Sequence, residues 1–153
     1  MRIYVAHSKD FDYVNELYKP IRECELSTEH EFLLPHEENA NSSNAREFYN
    51  NIDILIAEVS FPATGLGIEL GWAYDDKTPV YCLYKKGKKY SGSVRSVTGD
   101  IYEYSCAEEM ISIIKDIINK EQKNRVGRLL NRMLQDWVKT QSFSCYNKLS
   151  RVI

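Results

Sequence analysis

The sequence predicts an α/β fold built on a parallel sheet, and three observations carry that prediction. Short apolar runs alternate with amphipathic stretches along most of the chain. The run Ile54-Leu55-Ile56-Ala57 is apolar without a break, as a strand must be when both its faces are covered. With 153 residues, the chain suits one domain with a sizeable core.

The elements follow in order. Arg2 to Ala6 reads as a first strand. Phe11 to about Glu25 has helical spacing through Phe11, Val14, Leu17, Tyr18 and Ile21, and Pro20 should kink or divide it. Glu31 to Leu34 is a short second strand ended by Pro35. His36 to Asn44 is a polar loop expected to cross the mouth of a site. Ala45 to Asn50 reads as a short helix capped by Asn44. The third strand, Asp53–Val59, leads through a glycine-containing turn into a helix from about Gly67 to Asp76. Thr78 to Tyr84 is a fourth strand, Lys85 to Gly99 a basic loop, and Ile101 to Tyr104 a fifth strand. Two amphipathic helices are expected near the end, Glu108–Asn119 and Val126–Lys139, and no pattern is evident after Thr140. Strands alternating with helices imply right-handed parallel crossovers, and five of them suit a flavodoxin-like three-layer sandwich with an added C-terminal helix. The division expected is an α/β domain over 1–118 and a helical extension over 119–153.

Charge excludes some function classes. The formal net charge is −2, so no global field draws the chain to nucleic acid or to an anionic membrane. The charge is uneven: residues 121–153 carry +5 and the rest −7. No stretch approaches membrane-spanning length. Cys24, Cys82, Cys106 and Cys145 form no C-x-x-C pair and no cluster at zinc spacing, and Cys82 reads as a small core residue. With no signal segment evident, a reducing cytoplasm is the expected compartment. Neither a metal nor a cofactor is expected.

Function concentrates in Asp53–Ala73. Ser60, Pro62 and Thr64 break the strand, and Gly65, Gly67 and Gly71 surround a single acid, Glu69. A carboxylate just past a strand's carboxyl end lies where ligands bind in open α/β sheets. A helix N-terminus should favour its ionised form. Acids in first turns also serve only to complement the dipole, and the residues alone favour that structural role. A dinucleotide site is set aside because a loop separates strand from glycines and the last spacing is too long. His7, Ser8, His36, Ser60, Thr64, Glu69 and the loop after Tyr84 should gather at the strand ends. His7 and His36 are expected to be neighbours with hydrogen-bonding roles. The lysines of Lys85–Lys89 read equally as a phosphate site or as a solvated loop.

These residues resemble the nucleoside 2-deoxyribosyltransferase superfamily, which includes deoxynucleoside 5′-monophosphate N-glycosidases. The resemblance covers roughly residues 1–118. Ile3-Tyr4-Val5-Ala6-His7-Ser8 is similar to the family's opening strand, and Gly67-Ile68-Glu69-Leu70-Gly71 is the most specific part of its central block. Ser91-Gly92-Ser93 with Arg95 resembles its serine-bearing loop. The resemblance implies a catalytic pair: Glu69 attacking the anomeric carbon, with the Tyr4 hydroxyl beside it. It implies Ser8 near the sugar or its 5′ substituent. It also implies Ser91 or Ser93 reaching a phosphate from a neighbouring subunit, and hence a homo-oligomer, at least a dimer. Substrate contacts are therefore expected from Ser8, His7, His36, Asn44, Ser60, Thr64, Gly65, Gly67, Ser91, Ser93 and Arg95.

Two departures stand out. Ala45 and Ala63 occupy positions where the family has polar residues. An alanine cannot relay a proton or hold a phosphate. The function expected is cleavage or exchange of the N-glycosidic bond of a nucleoside or its 5′-monophosphate. The alternative is a nucleotide sensor of the same fold without turnover, which measured release of free base separates from the enzyme.

Overall fold

The computed structural model describes residues 1–37, 46 and 51–149, with side chains as far as 138. Five strands, β1 (Arg2–His7), β2 (Glu31–Leu33), β3 (Ile54–Glu58), β4 (Val80–Lys85) and β5 (Ile101–Tyr104), form one sheet in the order β2-β1-β3-β4-β5. Every pairing is parallel. This is the order of doubly wound flavodoxin-like sheets, whose chain direction switches between β1 and β3. The crevice for a ligand opens at that switch, above the carboxyl ends.

The sheet is covered on both faces. In β3, Ile54 to Ala57 are completely buried and Glu58 almost so. Side chains alternate across a strand. Tyr4, Ala6, Leu55, Ala57, Val59, Val80 and Cys82 share one core cluster. That cluster is completed by Leu66, Leu70 and Ala73 of helix α3 (Thr64–Asp75). Ile3, Val5, Ile54, Ile56, Tyr81 and Leu83 alternate with them and are equally buried.

The helices differ from expectation where backbone chemistry intervenes. The segment predicted as one helix from Phe11 to Glu25 begins as a π-helical turn, Val14–Tyr18, and continues as α1, Lys19–Glu23. Pro20 stands at the start of α1 directly after the π-helical turn, where its missing N–H cannot continue the regular hydrogen-bond ladder of the preceding turn. Helix α2, Leu26–Glu29, is a separate short turn. Helix α3 starts at Thr64 rather than Gly67, so Gly65 and Gly67 are helical residues and not a glycine turn. The two helices expected near the end are a single one, α4, Ala107–Leu149. Lys120–Arg125 lacks apolar residues but holds no glycine or proline, so propensity carries the helix through. The helix predicted at Ala45–Asn50, with its Asn44 cap, lies outside the described residues apart from Arg46.

The chain divides into two compact units, Met1–Lys115 and Asp116–Ile153. Among the described residues, no helix is long and apolar enough to cross a membrane.

The central strand generates a stability prediction. Ile56 is fully buried in β3, so Ile56→Ala loses both its transfer energy and the filling of its cavity. The expected cost is about 2–5 kcal/mol, measured by urea unfolding. A loss under about 1 kcal/mol would mean that the site collapses freely.

Candidate active site

The site is built across the switch point from β1 and α3. Tyr4 is fully buried in β1, and its hydroxyl donates to Glu69 Oε1 at 2.9 Å. Glu69 stands in the second turn of α3 rather than the first. Its distance from the helix start weakens the dipole's hold on it. Burial dominates instead. It pushes the Glu69 carboxyl up from 4.5 to about 7, against the hydrogen bond from Tyr4, which lowers it. The expected preference for the ionised form is thus overturned: near neutral pH the group is poised between its two states.

The surrounding cluster is aromatic, built from His7, Phe11, Tyr13, Tyr18 and His36. His7, at the end of β1, approaches Ser8 O with Nδ1 at 2.7 Å and Tyr18 Oη with Nε2 at 2.6 Å. The carbonyl must accept, so Nδ1 carries the proton and Nε2 accepts from the phenol. Desolvation lowers His7 to about 4, so the ring is neutral at physiological pH. Both of its nitrogens hold structure. Tyr18 also accepts from the His36 backbone N–H at 3.2 Å. Burial raises the Tyr18 phenol well above its ordinary value, and the Glu69 charge contributes to that rise. His36 packs edge-on against His7, with ring centroids 5.2 Å apart, so the two histidines are the neighbours expected. Burial also lowers His36. Phe11 and Phe61 stack face to face at 5.0 Å nearby.

Other predicted residues serve different ends. Ser8 is buried; its hydroxyl donates to Asp10 Oδ2 at 3.0 Å and accepts from the Asp10 N–H at 3.1 Å. Ser60 donates to Glu58 and accepts from the Lys85 N–H at 2.6 Å. It ties the ends of β3 and β4 together. Tyr104 also donates to Glu58, at 3.2 Å. Thr64, Gly67, Ser91 and Ser93 line a cavity of about 390 Å³ whose lining does not include Glu69 or Tyr4. The two serine hydroxyls are 2.8 Å apart. Gly67 and Glu69 lie on opposite flanks of α3, as their two-residue separation requires. The cavity that brings Ser91 and Ser93 to Thr64 and Gly67 thus lies on the other flank of α3 from Glu69.

Gly65 is exposed in the first turn of α3 and outside that lining. Arg95 faces away, donating to Tyr90 Oη at 3.0 Å. The lysine loop divides: Lys85 pairs with Glu16 at 2.8 Å, whereas Lys88, which lies 4.8 Å from the centre of the Phe61 ring, lines a second cavity with Lys89 and Arg95. None of its lysines lines the serine cavity. Asn44 lies outside the described residues. Sequence reasoning missed Tyr18 and Glu58. Tyr18 counts as one more apolar position of the expected helix, and Glu58 lies unremarked inside the expected third strand. Among the described residues, no group of three His, Cys, Asp or Glu side chains could hold a metal ion.

No family model matches the chain. Among curated proteins it is 33% identical over 76 residues to the 5-hydroxymethyl-dUMP N-hydrolase of Tetraodon nigroviridis, a match covering 46% of this chain and 53% of that protein. The chain spans about half the length of the curated relative it matches. The match supports the nucleoside 2-deoxyribosyltransferase superfamily.

The electrostatics of Glu69 generate a second prediction. Its folded pKa is raised, so the native state holds this proton more tightly than the unfolded chain does. Stability from this group is complete below about 4.5 and is lost as pH rises through about 7. Glu69→Gln keeps an acceptor for Tyr4 and removes the charge. The variant should be more stable than the wild type at pH 8, by on the order of 2 kcal/mol, and no more stable at pH 4.5. Denaturant melts at the two pH values check this, and a variant weaker at both would contradict it.

Proposed function

We propose that the chain is an N-glycosidase of a nucleoside 5′-monophosphate, with Glu69 as nucleophile. The observation that carries this reading is the Tyr4–Glu69 pair: a half-buried carboxyl near pKa 7, held by one phenol at the switch point of the sheet. The similarity to a protein named as an N-hydrolase of a deoxynucleotide supports the reaction class.

The chemistry follows from the geometry. As the bond from base to sugar breaks, its electron pair leaves with the base, which takes a proton from solvent. The sugar becomes an oxocarbenium-like cation that the Glu69 carboxylate stabilises and traps as an ester. Water then attacks the anomeric carbon, releases a proton and returns the carboxylate. A second base in place of water would make the same site a transferase.

The 5′-phosphate falls to the start of α3. The N-cap there is Ala63, and no side chain caps the helix, so its first N–H groups are open to an anion. Glu69 lies about 7 Å further along the same axis, a span that the sugar of a nucleotide bridges. Ser91 and Ser93 line the cavity beside the start of α3 with Thr64 and Gly67, so their hydroxyls add donors to the phosphate held there.

Two experiments test the proposal. Incubation with a panel of nucleosides and 5′-monophosphates should release free base from a monophosphate, and Glu69→Ala should lower the rate by orders of magnitude. Binding without release would leave a nucleotide-binding module instead. The pH profile is the sharper test. The nucleophile must be ionised, so kcat/KM should rise with pH through a midpoint near 7. Tyr4→Phe removes the group that lowers the pKa, so its midpoint should move about one pH unit higher. A profile that is flat, or unmoved by that substitution, removes Glu69 from the chemistry.

A further inference from the structure

The loop after β4 lines a second cavity, and no step proposed for Glu69 uses it. Its volume is about 550 Å³, within the roughly 300–1,000 Å³ that small-molecule sites occupy. Tyr84 and Glu103 are register partners on β4 and β5, and both line it. Lys88, Lys89, Tyr90 and Arg95 add to the lining from the loop and from the short 3₁₀ helix Gly92–Ser96. A hydrogen bond from the Lys88 N–H to Lys85 O at 2.9 Å closes a turn in which Gly87 holds φ at +81°, so a glycine fixes the path of the lysine loop. With about three residues per turn, Gly92 and Arg95 stack on one face of the 3₁₀ helix, and Ser93 and Val94 turn away from them. The first pair lines this cavity and the second lines the serine cavity, so one short helix separates two sites.

The lining narrows the occupant. It holds three cations and one carboxylate, and among the described residues none of Lys88, Lys89 and Arg95 is in an ion pair. The Tyr84 and Tyr90 rings meet with centroids 5.0 Å apart and planes at 59°, which makes an aromatic corner. Arg95 lies 5.9 Å from the centre of the Tyr90 ring and donates to its hydroxyl at 3.0 Å, so the guanidinium is held at that corner. Three unpaired cations match a chain of phosphates better than a single one. The rings offer a flat base a surface to stack on. Glu103 repels a bare anion but accepts from a hydroxyl or amino group. A nucleoside diphosphate carries all three features. We propose that this cavity binds a nucleoside diphosphate, as a site separate from the crevice at Glu69. Binding there is independent of the chemistry at Glu69.

Calorimetry of the full chain with ADP, pyrophosphate and adenosine tests it. ADP should bind at least about tenfold tighter than either fragment, since each fragment makes only part of the contacts. Lys88→Glu combined with Lys89→Glu changes exposed side chains, so folding, read by circular dichroism, should be unchanged while ADP affinity falls at least about tenfold. Glu103→Ala should narrow the preference for ADP over pyrophosphate, because it removes both the repulsion and the acceptor. Glu69→Ala should bind ADP as the wild type does. Pyrophosphate binding as tightly as ADP makes the loop a general attractor of anions and overturns the proposal. A short single-stranded RNA binding far more tightly than ADP assigns the surface to nucleic acid and also overturns it. So does an ADP affinity untouched by the lysine pair. Loss of ADP binding in Glu69→Ala places the ligand in the crevice and overturns the separate site.

Discussion

The hydrogen bond from Tyr4 to Glu69 constrains the sheet as well as the site. Tyr4 reaches α3 only because β1 pairs with β3 in the register Tyr4 to Leu55, which puts both on the face that α3 covers. A slip of one residue would turn Tyr4 to the other face and bring Ile3 or Val5 under the helix. Glu69 would then be half-buried with no phenol to donate to it, and a buried acceptor without a donor costs about 1–3 kcal/mol. The strand register, the packing of α3 and the position of the carboxyl are thus one arrangement. The parallel order adds the rest: with β1 and β3 adjacent and their crossovers running apart, the crevice opens where this pair sits.

Most of this framework is legible in the residues themselves. The unbroken apolar run of β3 announces a doubly covered strand, and all five strands lie within two residues of their expected bounds. The Tyr4–Glu69 pair was also legible, through the Gly67–Gly71 block and the opening strand. The helices were less so, because periodicity reports which face is buried and not where hydrogen bonding changes register. The π-helical turn at Val14–Tyr18 leaves the apolar spacing almost intact, and so it hides in a helical pattern. The glycines misled in the opposite sense. Gly65 and Gly67 suggested a turn, yet neither requires a positive φ, and both sit in the first turns of α3. Burial at Glu69 was invisible too. Proximity to a helix start can be counted along the chain, whereas desolvation depends on what folds over the group. The separation of the serine pair from the lysines has the same origin: a loop shows which residues travel together, not which way each one faces.

Two carboxyls, one at the end of β3 and one on α3, meet burial in different ways. Glu58 is the deeper, almost wholly buried at the end of β3. It accepts from the Ser60 hydroxyl, the Ser60 N–H and the Tyr104 hydroxyl, so the cost of its burial is met by donors. Its work is to join the ends of three strands. Glu69 keeps some exposure, but among the described residues its donor is the Tyr4 phenol, and the two nearby imidazoles are held neutral by their own burial. A carboxylate supplied with one neutral donor is destabilised when ionised, and burial outweighs that donor at Glu69. A positive charge developing within reach would relieve it, which is the electrostatic complement that the proposed reaction draws on. Depth of burial therefore does not distinguish the two acids; the supply of donors does.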